Sequence, residues 1–164
     1  MTETAYCFKK LGLAADHAGL EFKALIGKSL QAMGFTIVDY GVAEKSESRV
    51  DYPDYASLLA AAVSTQEVEA GIAICGTGLG MAIVANKYPR VRAACIWDEY
   101  SCRMSRQHNN ANVLCLGGRT LNSFRAVELT HLWLKTAFAG EQHTVRIEKI
   151  DKIEKNLLNP IRNR

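Results

Sequence analysis

Few side chains in this sequence have the chemistry to move a proton, and one of them stands in an unusual place. Cys75 closes the apolar run GIAIC (71–75). Gly76, Thr77, Gly78, Leu79 and Gly80 follow, and then an apolar, helix-like pattern begins. Backbone N–H groups at a glycine turn leading into a helix form a site for an anion, either a phosphate or an oxyanion that develops during a reaction. A helix N-terminus also favours the thiolate form of a cysteine. Such a thiolate could take a proton beside a carbonyl or attack the carbonyl itself, and the residue types alone leave base and nucleophile open. Two blander readings compete. Cysteine is among the most buried residue types and could simply end a strand. Strand, glycine turn and helix also imitate a dinucleotide loop. Against that, the spacing is G-x-G-x-G, Met81 stands where the third glycine belongs, and no P-loop lysine follows.

Other polar clusters are scattered along the chain. DHAG (16–19) sets Asp16 beside His17 at the end of an apolar run. Helix capping alone explains Asp16, but the adjacent His17 makes two titratable groups there. SRQHNNANV (105–113) gathers His108, Asn109 and Asn110 at the end of a helix-like segment. Asparagines suit the turn, whereas the turn does not require a histidine. Asp51 and Tyr52 open a helix, where aromatic packing is the plain alternative. Arg119 follows Gly117-Gly118 and could pair an anion. Arg146 lies in a strongly charged segment that reads as a solvated helix face, His131 reads as helix packing, and His143 could cap or pair and is assigned no role.

The elements that must position these groups alternate. LGLAA (11–15), FTIVDYG (35–41), GIAIC (71–75), VRAACIW (91–97) and NVLCLG (112–117) read as strands. Helices are expected from His17 to Met33 with Gly34 as the stop, from Pro53 to Ala62, and over 79–87. Further helices are expected from Asp98 to about Arg106, from Asn122 to about Phe138, and from His143 to Leu157. Continuous apolar strands between helices predict an α/β, Rossmann-like three-layer sandwich: a five-stranded parallel sheet with helices on both faces and an extra C-terminal helix. Ligands of such sheets bind beyond the carboxyl ends of the strands. That rule selects Asp16, His17, Asp51, Tyr52, Cys75 to Gly80 and Gly117 to Arg119.

Composition narrows the classes of function. The 164 residues suit one domain, expected over 11–157 between an N-terminal extension (1–10) and a loose tail (158–164). A net charge of +3 is too mild to imply nucleic acid or a membrane surface as partner, and no apolar stretch approaches a membrane span. MTETAYCFKK has no apolar core after its charges, so no secretory signal is expected. The five cysteines are odd in number and lack C-x-x-C spacing. Reduced thiols in a cytoplasmic protein are therefore expected, with no metal site.

Taken together, DHAG, VDYPDYA (50–56), CGTGLGMAIVANK (75–87), RQHNNANVL (106–114) and LGGR (116–119) resemble the ribose-5-phosphate isomerase B and galactose-6-phosphate isomerase family. The resemblance covers about residues 11–150 and implies a cofactor-free aldose–ketose isomerase of a phosphorylated sugar. It also implies a dimer or tetramer whose sites are completed by a neighbouring subunit. A cysteine at this place marks the ribose-5-phosphate branch. Cys75 is then the base between C2 and C1, with Thr77 assisting at the substrate oxygens. The backbone from Gly76 through Gly78 and Leu79 to Gly80 forms the anion hole for a cis-enediolate. The second subunit's His108, with Asn109 beside it, would open the furanose ring. Asp16, His17 and Tyr52 would contact the sugar, and Arg119 and Arg146 the phosphate. One departure stands out: Gln142 occupies a position where the family commonly has a phosphate-site arginine. That implies weaker phosphate affinity or a sugar phosphate of four or six carbons. A nucleotide- or sugar-phosphate-binding module without catalysis is the rival from another class, and it would need neither Cys75 nor His108.

Overall fold

The computed structural model of the chain describes residues 6–42 and 50–158. Five strands, β1 (Lys10–Ala15), β2 (Thr36–Asp39), β3 (Ala70–Cys75), β4 (Ala93–Cys95) and β5 (Val113–Gly117), form one parallel sheet in the order β2-β1-β3-β5-β4. The helices are α1 (Leu20–Ala32), α2 (Tyr52–Ser64), α3 (Leu79–Ala85), α4 (Glu99–Gln107), α5 (Ser123–Lys135) and α6 (Gln142–Leu158).

The strand period of two divides the core between the two faces of the sheet. Leu11, Leu13, Ile72, Ile74, Leu114 and Leu116 pack on one side against Ile26 and Leu30 of α1 and Leu129 and Trp133 of α5. Ala14, Ala73, Val113 and Cys115 pack on the other against Leu59 and Val63 of α2 and Met81 of α3. This is the Rossmann-like three-layer arrangement read from the alternation of elements. Every residue of β3 and β5 is buried, as a strand covered on both faces requires.

Several boundaries shift for local reasons. α1 begins at Leu20 rather than His17, because Asp16 to Gly19 form a turn. The Asp16 carboxylate accepts the Ala18 N–H at 2.9 Å, and the Gly19 N–H donates to the Asp16 carbonyl at 3.1 Å. β4 is three residues long, not seven. It is an edge strand, and Asn86 occupies its open side: the side-chain amide donates to the Ala93 carbonyl at 2.9 Å and its oxygen accepts the Ala93 N–H at 2.8 Å. Such side-chain cover blunts an edge that could otherwise pair with another chain. α5 stops at Lys135, since Thr136 takes extended backbone angles. The expected caps at Asp98 and Asn122 are in place, each accepting the backbone N–H three residues on at 2.8 Å. Gly34, with φ +87°, ends α1. Residues 1–5, 43–49 and 159–164, where most of the expected C-terminal tail falls, lie outside the described residues.

α6 stands apart from the sandwich. Only His143 and Ile147 of it are buried, and Val145, Ile150, Ile153, Leu157 and Leu158 are exposed.

Candidate active site

β3 delivers Cys75 to the carboxyl edge of the sheet, where the residue is 4% exposed. The chain then turns back over it, and the Gly78 N–H donates to Cys75 Sγ at 3.2 Å. This turn depends on glycine at 78. Its φ is +80°, and a Cβ there would lie 2.7 Å from Cys95 Sγ and 2.9 Å from the Leu116 carbonyl carbon. The thiol of Cys95 donates to the Thr77 carbonyl at 3.4 Å. Burial, reinforced by the nearby Cys75, pushes Cys95 up to about 11, so it remains a neutral thiol. Thr77 Oγ1 accepts the Leu79 N–H at 3.4 Å.

The other edge residues close around this turn. The Gly118 N–H donates to the Cys75 carbonyl at 2.8 Å and the Arg119 N–H to the Gly76 carbonyl at 2.9 Å. The Arg119 guanidinium lies over Gly76, 3.4 Å from where a Cβ would sit. The Tyr52 ring lies over Gly80, within 2.6 Å of a Cβ there. The Asp16 N–H donates to the Ile74 carbonyl at 3.2 Å, which ties DHAG to the end of β3. His17 Nδ1 sits 3.2 Å from the Val50 carbonyl. Asp16, His17, Tyr52, Cys75 to Gly80 and Arg119 thus share one edge of the sheet.

His108, Asn109 and Arg146 belong to a second group. His108 caps the end of α4, and its ring stacks on His143, centroids 4.0 Å apart and planes 10° from parallel. Arg146 Nη1 lies 3.3 Å from His143 Nδ1. A guanidinium has only donors, so His143 Nδ1 accepts and the ring is the neutral Nε2–H tautomer. Burial, with His108 and Arg146 beside it, holds the His143 pKa below the ordinary histidine value. Asn109 borders a largely apolar groove of about 620 Å³ between α6 and the β4 region, lined in part by Tyr88, Val91, Ile150, Ile153 and Leu157. Asn110 supplies the turn's left-handed residue, with φ +45°.

The two groups lie at opposite edges of the sheet. Gly117 at the end of β5 pairs with Cys75, while Val113 at its start pairs with Gly71. At the usual rise per residue those two levels are about 13 Å apart. The turn bearing His108 precedes Val113 and therefore lies at the amino edge.

Residues 11–150 match the family described as Ribose/Galactose Isomerase. The chain belongs to that family. A ribose-5-phosphate isomerase B of Escherichia coli is 41% identical over 89% of this chain and 97% of its own length. A D-erythrulose-4-phosphate isomerase of Pectobacterium atrosepticum is 39% identical over 88% and 94%. The crystal structure of ribose-5-phosphate isomerase B from Mycoplasma genitalium with bound ribulose 5-phosphate superposes with a TM-score of 0.83 at 38% identity, covering 89% of this chain and 96% of that one. No helix among the described residues is long and apolar enough to cross a membrane.

In this isomerase-family chain, sequence reasoning passed over His143 and Cys95. The i,i+3 spacing of His143 and Arg146 on one helix was a signal that they could touch. Nothing local marks Cys95, which reaches Gly78 only because β4 and the turn after β3 flank β5.

Proposed function

We propose that this chain interconverts ribose 5-phosphate and ribulose 5-phosphate, with Cys75 as the base. The observation that carries the reading is the thiol at the end of β3, inside a glycine turn that aims an N–H at its sulfur, in a chain of this family. The Cys75 thiolate takes the C2 proton of the open aldehyde, and the electron pair moves through C1–C2 to the carbonyl oxygen, giving a cis-enediolate. The proton returns to C1, and Thr77 aids the transfer of the hydroxyl proton from O2 to O1. Backbone N–H groups of Gly76 to Gly80 stabilise the developing charge, a contribution commonly about 3–4 kcal/mol per donor. Asp16, His17 and Tyr52 hold the sugar from the same edge. No cofactor enters the scheme, and the setting is the cytoplasm, where thiols stay reduced.

His108 opens the furanose ring, and within one chain it faces the wrong edge. We therefore assign it, with Asn109 and Arg146, to a second copy whose amino edge meets the first copy's carboxyl edge. Arg119 and the second copy's Arg146 then share the phosphate. A second reading, isomerisation of a tetrose phosphate, is favoured by Gln142, which brings no charge to the phosphate end, and by the 39% identity to the erythrulose-phosphate enzyme.

The test is turnover of ribose, erythrose and hexose phosphates without added cofactor. Ribose 5-phosphate is expected to give the highest kcat/KM, and Cys75→Ala to lower it by about 10²–10⁴-fold. A preference for the tetrose would select the second reading. No turnover of any sugar phosphate, or undiminished turnover by Cys75→Ala, would contradict both.

A further inference from the structure

Residues 6–8 precede β1 and take no part in the roles assigned above, yet they reach the second group. The Cys7 N–H donates to the Leu134 carbonyl at 3.3 Å, and its thiol donates to the Thr136 carbonyl at 3.5 Å. Phe8 stacks on Trp133, centroids 5.6 Å apart and planes 22° from parallel. The guanidinium of Arg106 lies over both rings, 4.8 Å from the Phe8 centroid and 5.2 Å from that of Trp133.

Arg106 is 3% exposed, and among the described residues no carboxylate forms an ion pair with it. The charge is met instead by three oxygens, the sulfur of Cys7 and the rings of Phe8 and Trp133. Nε donates to the Thr136 carbonyl at 3.2 Å. Nη1 donates to Asn110 Oδ1 at 3.1 Å and to the Ala111 carbonyl. Asn110 and Ala111 close the turn that carries His108 and Asn109. A guanidinium presents its donors in a rigid fork, so the contacts with Phe8 and Trp133 that fix its place also set where the turn's acceptors stand. Trp133 is a fully buried core residue, whereas Phe8 is half-buried and comes from the segment ahead of the first strand.

We propose that Phe8 is a positioning residue: packed on Trp133 and against Arg106, it holds the guanidinium where its donors orient the 107–111 turn, and with it His108. The inference rests on the reading of His108 as the ring-opening group. Its consequence is selective. Ribose 5-phosphate is a furanose in solution and needs opening. Ribulose 5-phosphate is open-chain, because its C5 oxygen is esterified. Loss of Phe8 should therefore slow turnover of ribose 5-phosphate and spare exchange of the ribulose 5-phosphate C1 hydrogen with D₂O, which needs the Cys75 half-site.

Both rates are measured for the full chain and for Phe8→Leu, Phe8→Tyr, Tyr6→Leu and His108→Ala. Phe8→Leu is expected to lose about tenfold in turnover with exchange within about twofold of wild type, the size of effect a misplaced group gives. Phe8→Tyr restores turnover. Tyr6→Leu, which removes the ring contacts of Tyr6 with Phe35 and Lys135, leaves the ratio of the two rates unchanged. Spectra of the ¹⁵N-histidine-labelled chain supply a readout that does not depend on activity. The His108 and His143 ring signals move in Phe8→Leu and return in Phe8→Tyr, while those of His17 and His131 stay in place. Equal loss of both rates, no loss in either, or unmoved His108 and His143 signals would overturn the inference. Should His108→Ala leave the ratio of the two rates unchanged, the ring-opening assignment itself fails, separately from the role of Phe8.

Discussion

In the proposed reading Cys75 is a base, which a thiol can be only where its anion has a partner; the contact in place is a backbone N–H. Gly78 aims that N–H at Cys75 by adopting a left-handed conformation, with Cys95 Sγ and the β5 backbone filling the space where a side chain would grow. Gly78→Ala combines the left-handed penalty with two contacts under 3 Å. It is expected to destabilise the chain by about 1–3 kcal/mol, seen as a lower Tm, and to cut turnover more than the lost stability accounts for. Unchanged kcat/KM in a folded Gly78→Ala protein would show that the turn does not serve the thiol. The turn was legible in the sequence, since alternate glycines after a strand permit close backbone approach and positive φ; of the three, Gly78 adopts it. The contact that makes Gly78 irreplaceable was not. Cys95 lies seventeen positions beyond Gly78 in the chain and meets it only through the pairing of β4 with β5.

At the scale of elements, alternation of apolar strands with helices was enough to read a parallel sheet and to collect Asp16, Tyr52, Cys75 and Arg119 at its carboxyl edge. Element ends were less legible because polar side chains settle them, as Asp16 does before α1 and Asn86 does along β4. α6 was the least legible element. Its mostly charged sequence reads as a solvated face, yet His143 turns inward to stack on His108. Burial holds both His143 and His131 below the ordinary histidine pKa. A base whose folded pKa is depressed binds protons more readily in the unfolded chain. Its stabilising effect is complete above the unfolded value and is lost as pH falls through that value toward the folded pKa. The Tm is therefore expected to drop between about pH 7 and pH 5.5, around the unfolded histidine value of about 6.5, and the slope to flatten in the double variant His131→Gln, His143→Gln. A slope identical to wild type would show that neither ring is held neutral by the fold.

Over the whole molecule, one chain carries two residue groups at opposite ends of the strands, which the proposed function reads as two half-sites. The thiol, glycine turn, Tyr52 and Arg119 occupy the carboxyl edge; His108, His143 and Arg146 occupy the amino edge. The apolar residues along α6 and the groove beside Asn109 lie on the second half-site's side, where another copy would cover them. The family resemblance implies a shared site, and on the proposed reading a second copy is required because β5 separates the two groups by its own length. Complementation between two inactive variants tests this most directly. Cys75→Ala and His108→Ala proteins are each assayed alone on ribose 5-phosphate and then after mixing, with subunit exchange verified by mass. Each alone is expected to be nearly inactive, and the mixture to recover about a quarter of wild-type activity, as random pairing into two-fold dimers leaves half the dimers with one intact site. No recovery despite proven exchange would contradict a sugar-phosphate isomerase site built from the Cys75 edge of one chain and the His108 edge of the next.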